Sequence, residues 1–150
     1  MVPVTSSTSK STSSLILVCG DDEFSIKRAS REIFQQWCAS PGGVDQEIID
    51  ASVSTSSEAL KALFRLREAL QTLPFFGDSK VIWFQNCNFL SDERAATAQA
   101  VSEHLTQFAQ ELTQFVWNNV RLLISAGKVD KRRMIFKTFE RIGKIHSFKS

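Results

Sequence analysis

The chain has 150 residues, of which 43% are hydrophobic, 23% charged and 10% aromatic, and its net charge is +2. That length suits one domain able to bury roughly 70% of the surface its unfolded form exposes. The composition excludes a disordered or collagen-like chain, and no apolar run approaches the roughly 20 residues that a membrane-spanning helix needs.

Residues 3–14 are rich in Ser and Thr and offer nothing to a core, so residues 1–14 are expected to form a disordered leader and order to begin at Leu15. Leu15–Cys19 is a short, continuously apolar run closed by Gly20, the pattern of a strand buried on both faces. Asp21 and Asp22 suit the start of a helix, along which Ile26, Ala29, Ile33 and Trp37 recur at helical spacing, broadened by Phe34 and Cys38, until Pro41-Gly42-Gly43 ends it. Glu47–Asp50 reads as a weaker strand near a sheet edge. Thr55-x-x-Glu58 is a capping box, opening a helix with Leu60, Leu63, Phe64 and Leu70 inward.

After a break in periodicity at Leu73–Asp78, Lys80–Gln85 forms a third strand. Ser91 or Asp92 is expected to open the longest helix, with Val101, Leu105, Phe108, Leu112, Phe115 and Val116 on one side. Val120–Ile124 is a fourth strand. Asp130 is expected to cap a helix with Ile135, Phe139 and Ile142 inward and Gly143 at its end, and Lys144–Phe148 alternates as a fifth strand. Residues 126–150 carry a net +6 and the rest of the chain −4. This reads first as a basic amphipathic helix with a solvated outer side, and otherwise as a face for nucleic acid or an acidic partner. Strands separated by helices predict an α/β domain over 15–150: three layers, a mostly parallel five-stranded sheet, and helices on both faces. Ligands of such sheets sit outside the carboxyl ends of the strands, where chemistry is to be sought.

Little chemistry is found there. A phosphate loop needs G-x-x-x-x-G-K-[ST] after the first strand. Gly20–Lys27 instead has Ser25 for the second glycine, Ile26 for the lysine and Lys27 for the hydroxyl, with Asp21, Asp22 and Glu23 where phosphates would lie. The third strand runs into neutral Gln85-Asn86 rather than the metal-holding Asp of an NTPase or a response regulator. His104 and His146 have no partner at metal-ligand spacing, and no Cys–His pair or GxSxG elbow is present. No cofactor, no metal and no intrinsic catalysis are expected. The scattered cysteines Cys19, Cys38 and Cys87, with no CxxC pair, read as buried thiols of a reducing, cytoplasmic compartment.

One segment resists a core-only explanation. Leu73-Pro74-Phe75-Phe76-Gly77 joins a helix to a strand, where a connection should be polar. Two adjacent Phe cannot both enter one core easily from a tight turn, so at least one is expected to be exposed, as interface anchors are; otherwise both fold back under the sheet.

Three stretches, LILVCGDDEFSIKRASREIF, ALQTLPFFGDSKVIWFQN and RLLISAGKVDKRRMIFKTFERIGKIHSF, together resemble the N-terminal domain of the delta-subunit family of bacterial DNA polymerase III, over Leu15–Phe148. The resemblance implies an AAA+-like fold that has lost its nucleotide site, in a non-catalytic clamp-loader subunit of the DNA-directed DNA polymerase holoenzyme. It implies that a hydrophobic pair, here Phe75 and Phe76 with Leu73 as supporting wall, inserts into the sliding clamp and helps open it. The family pair begins with an aliphatic residue, from which Phe75 departs. The resemblance further implies lid and collar domains beyond Ser150 that meet the other loader subunits, with DNA contact indirect or weak and no membrane. The reading weighed against it is a nucleotide-dependent enzyme or regulator on the same α/β fold.

Overall fold

A computed structural model describes residues 13–75, 77–91 and 98–150. Among these, five strands alternate with four helices: β1 Leu15–Gly20, α1 Glu23–Cys38, β2 Val44–Asp50, α2 Ser56–Gln71, β3 Ser79–Cys87, α3 Gln99–Gln114, β4 Val120–Ala126, α4 Met134–Ile142 and β5 Lys144–Phe148. The sheet order is β2-β3-β4-β1-β5, with every pairing parallel. The expected three-layer α/β fold is therefore present. Of the leader, only Ser13 and Ser14 fall within the described residues, and the Ser14 carbonyl accepts from the Leu122 N–H at 2.8 Å.

The unbroken apolar run of β1 follows from its place between β4 and β5. Leu15, Leu17 and Cys19 enter the core on one face of the sheet, and Ile16 and Val18 the smaller core on the other. The chain leaves β1 toward β2 in one direction and then moves back across the sheet. Right-handed crossovers consequently place α1 on one face and α2, α3 and α4 on the other.

On α1, Asp22 caps the helix by accepting from the Ser25 N–H at 3.2 Å and its hydroxyl at 2.8 Å. The buried stripe is Ile26, Ser30, Phe34 and Trp37, rotated slightly from the expected one, so that Ala29, Ile33 and Cys38 are only partly covered. Phe34 lies 5.0 Å from Trp83, ring centre to ring centre, and the Arg121 guanidinium sits over Trp37 at 5.6 Å. Ser30 Oγ is buried without a hydrogen-bond partner. The helix ends near the Pro41-Gly42-Gly43 turn, and β2 is the edge strand expected, although it begins earlier, at Val44.

Thr55 caps α2 as expected, its hydroxyl accepting from the Glu58 N–H at 3.1 Å, while the Glu58 carboxylate reaches one residue past the cap and accepts from the Ser54 N–H at 2.7 Å. Its inner face differs from expectation. Ala59, Ala62, Leu63, Leu66, Ala69 and Leu70 are buried, Leu60 is half-buried and Phe64 is 67% exposed. Three alanines let the helix lie close to the sheet, and that contact rotates Phe64 outward.

Ser91 does not open α3. It is a buried bend, Asp92 lies outside the described residues, and the helix begins at Gln99. Val101, Leu105, Phe108 and Leu112 face inward as expected, but the helix stops at Gln114, leaving Val116 exposed and Phe115 edge-on to Trp117 at 4.7 Å.

Nor does Asp130 cap α4, whose N-cap position is Arg133. Its carboxylate instead accepts from the Arg132 N–H at 3.0 Å and from the Arg132 guanidinium at 2.9 Å, and its carbonyl from the Arg133 N–H at 3.1 Å. These bonds close the turn before the helix, and the Arg132 side chain and amide hold the Asp130 carboxyl at about 2. Ile135, Phe136 and Phe139 face inward, Ile142 is half-buried, and α4 ends at Gly143 as expected. None of the described helices is long and apolar enough to cross a membrane.

Candidate functional site

The segment joining α2 to β3 lies at the amino end of the sheet, opposite the carboxyl ends where chemistry was expected. Leu73 and Phe75 are each 82% exposed, Pro74 is half-buried, and Phe76 lies outside the described residues. Exposure of Phe75 agrees with the reading of the sequence.

The backbone beneath these side chains is fixed from several directions. At the end of α2, the Thr72 N–H donates to the Ala69 carbonyl at 3.4 Å and its hydroxyl to the Glu68 carbonyl at 2.8 Å. Lys80, 3% exposed at the head of β3, donates its ammonium to the Ala69 carbonyl at 2.9 Å and to the Thr72 carbonyl at 3.5 Å, and lies 3.6 Å from the Glu47 carboxylate. A buried cation at the carboxyl end of a helix complements both the unpaired carbonyls and the macrodipole. The Asp45 carboxylate of β2 accepts from the Phe75 N–H at 2.9 Å.

Gly77 adopts φ +71°, and a Cβ there would come within 2.4 Å of the Gly43 backbone. Only glycine lets the two turns touch, and the Asp78 N–H donates to the Gly43 carbonyl at 3.3 Å across that contact. Two large apolar side chains are thus presented to solvent on a turn held by β2, β3 and the end of α2. The sequence reading missed Lys80, Asp45 and Gly43. A lysine at the head of an otherwise apolar strand is the one signal that pointed to the first of them.

At the other end of the sheet, the turn after β1 is occupied by the chain itself. The Asp21 and Asp22 N–H groups donate to the Phe148 carbonyl at 3.0 and 3.4 Å, the Gly20 N–H to the Gly127 carbonyl at 3.1 Å, and the Ser25 N–H to Asp22. Gly20 is at φ +132°, with the Phe148 carbonyl where a Cβ would sit. The Ser25 hydroxyl and amide draw the Asp22 carboxyl below its ordinary range. Four of the amides that a phosphate loop would offer, those of Gly20, Asp21, Asp22 and Ser25, are therefore engaged by Gly127, by β5 and by the Asp22 cap.

His104 is not isolated. Its Nδ1 accepts from the Arg67 guanidinium at 3.3 Å, and Arg67 also pairs with Glu111, which joins α2 to α3. Cys87 is wholly buried, which pushes its thiol up to about 12, and burial also raises Cys19 and Cys38. The Arg141 guanidinium of the basic C-terminal region donates to the Thr113 hydroxyl at 3.2 Å.

The family model for DNA polymerase III, delta subunit, matches residues 16–149. No curated protein matches the chain. Among solved structures, the DNA clamp loader delta protein of Bacillus subtilis is similar with a TM-score of 0.62 and 14% identity, covering 98% of this chain and 42% of that one. A DNA polymerase III gamma subunit-related protein of Thermotoga maritima is similar with a TM-score of 0.54 and 13% identity, covering 92% of this chain and 42% of that one. A chain of the HORMA:CdnC:Trip13 complex of E. coli MS115-1 follows with a TM-score of 0.52 and 12% identity, over 91% of this chain and 48% of that one. At these identities the likenesses show the fold, and the chain spans less than half the length of each.

Proposed function

The chain belongs to the DNA polymerase III delta-subunit family, and on that premise we propose that it is a non-catalytic clamp-loader domain that binds the sliding clamp through Leu73, Phe75 and Phe76. The observation that carries the proposal is the pair of large apolar side chains, Leu73 and Phe75, exposed on a backbone that Lys80, Asp45 and the Gly43–Gly77 contact hold in place. An exposed anchor on a fixed turn loses little conformational freedom when an apolar pocket covers it, which is the property of interface hot spots.

In this reading, opening of the clamp by the assembled loader in the cytoplasm draws on further domains and on the other loader subunits, since the chain matches 42% of the Bacillus delta protein. The nucleotide-enzyme alternative requires amides free to meet phosphate in the β1–α1 turn. The Phe148 carbonyl already accepts from two of them, which favours the binding module.

Calorimetric titration of the chain with the cognate sliding clamp, beside a Leu73→Ser/Phe75→Ser variant, tests the proposal. Saturable binding by the wild type and a large loss in the variant are expected. Equal affinity of the two proteins would refute the assignment of the turn.

A further inference from the structure

Outside the carboxyl ends of β3 and β4 lies an open cleft of about 450 Å³, a volume in the range of small-ligand sites. It borders the point where the chain leaves β1 to one face of the sheet and β4 to the other, the place where doubly wound sheets bind ligands. It adjoins the β1–α1 turn and shares Glu23, Ile26 and Lys27 with the degenerate Gly20–Lys27 segment, but the polar groups it offers are side chains rather than the Asp21, Asp22 and Ser25 amides, which are engaged. One wall is α1, which contributes Lys27 and Arg31. The opposite wall is the end of β3, where the register shifts between Phe84 and Cys87 and Asn86 adopts φ +57°. This bulge re-aims the strand's end, so that Gln85 and Asn86 both line the cleft. Its floor is fixed by the Trp83 indole N–H, which donates to the Ser125 hydroxyl at 3.0 Å.

The cations on this wall are uncommitted. Among the described residues the salt bridge on α1 is Arg28–Glu32, at 3.7 Å, and neither Lys27 nor Arg31 forms one. Phe24 is 72% exposed and stands three and seven positions before Lys27 and Arg31, on the same helical face. An exposed aromatic ring, two free cations on its face, and an adjoining cleft lined by side-chain amides form a set suited to unpaired nucleotides. The cations meet phosphates, the ring stacks on a base, and the amides meet base edges. The Glu23 carboxylate, also at the cleft, repels phosphate from the start of the helix.

We propose that this cleft and the adjoining face of α1 bind single-stranded nucleic acid, with Lys27 and Arg31 at the phosphates, Phe24 as stacking platform, and Gln85 and Asn86 at base edges. The site lies at the opposite end of the sheet from Leu73 and Phe75, so either reading can fail without the other.

Fluorescence anisotropy of a labelled oligo-dT about ten nucleotides long tests it on the full chain. Two phosphate contacts on a single strand give a log–log salt slope of about −1.4, so Kd should rise roughly sevenfold from 50 to 200 mM salt. Lys27→Gln/Arg31→Gln should flatten that slope, and Phe24→Ala should weaken binding roughly fivefold or more. All three side chains are exposed, so unchanged melting temperatures are expected. Lys131→Gln/Lys137→Gln, on exposed positions of the C-terminal region, should leave binding intact. Absence of saturable binding, or binding lost with Lys131 and Lys137 but not with Lys27 and Arg31, would overturn the proposal. So would competition by thymidine monophosphate or inorganic phosphate as effective as that of the oligonucleotide, which would show a small-anion site instead.

Discussion

Lys80→Met isolates the buried ammonium beneath the apolar turn, because methionine preserves most of the aliphatic stem and removes only the charge and its donors. Its loss leaves the Ala69 carbonyl with just the long 3.4 Å bond from the Thr72 N–H, and takes from the Thr72 carbonyl its 3.5 Å contact. A hydrogen bond from a charged donor contributes about 1.5–3 kcal/mol. The Glu47 partner is more than a third exposed and can rehydrate, so that pair adds little. Relief from burying an ammonium offsets part of the loss, which leaves a net destabilisation of about 1–2 kcal/mol. For a domain of this size that lowers Tm by roughly 2–8 °C. Scanning calorimetry measures it, and amide exchange at Thr72, Leu73 and Phe75 should accelerate beyond the global effect. Clamp affinity should fall as well, although Lys80 is too buried to touch a partner. A variant as stable as wild type, with unchanged exchange at the turn, would refute the view that Lys80 holds it.

Leu73→Ala/Phe75→Ala should cost under about 0.5 kcal/mol in stability, against roughly 3–5 for a buried Phe, because both side chains are mostly exposed. The same variant should lose about 2–4 kcal/mol of clamp affinity, roughly 30-fold to 1,000-fold, when read by titration. Ser30→Ala removes a buried hydroxyl without a partner and adds helix propensity, so it should raise the denaturation midpoint by the equivalent of about 1 kcal/mol. The Asp130 carboxyl is depressed from 3.8 to about 2, so its stabilisation is present above about pH 4 and is lost as pH falls toward 2. Asp130→Asn should therefore flatten stability measured across that window, and an unchanged pH profile would show that the Arg132 contact contributes nothing.

Much of the fold was legible because each strand carries a local signature. Leu15–Cys19 is apolar throughout because a core lies against each of its faces, and the fifth strand is found over the expected Lys144–Phe148. The buried face of α2 was misread because Ala59, Ala62 and Ala69 carry it, and alanine is nearly silent in a hydrophobic pattern, whereas the more apolar Leu60 and Phe64 dominate it. Asp130 has the chemistry of a cap, but its neighbour Arg132 takes the carboxylate first. Exposure of a ring at Phe75 was inferable from a turn too short to bury adjacent Phe residues, whereas the equal exposure of Leu73 was not. The supports beneath it were not, since the contact of Lys80 with α2 and that of Gly43 with Gly77 depend on segments that meet only after the sheet has assembled.

The order β2-β3-β4-β1-β5 also sets a schedule for synthesis. Among the five described strands, the first in chain order pairs with the fourth and fifth, Leu15 with Leu122 and Gly20 with Phe148. At typical elongation rates, β4 follows β1 by about 5–20 s. Throughout that interval both edges of the most apolar segment of the chain are bare, and such an edge templates aggregation. Shielding of Leu15–Cys19 during synthesis therefore bears on the yield of native protein separately from the stability of the finished sheet.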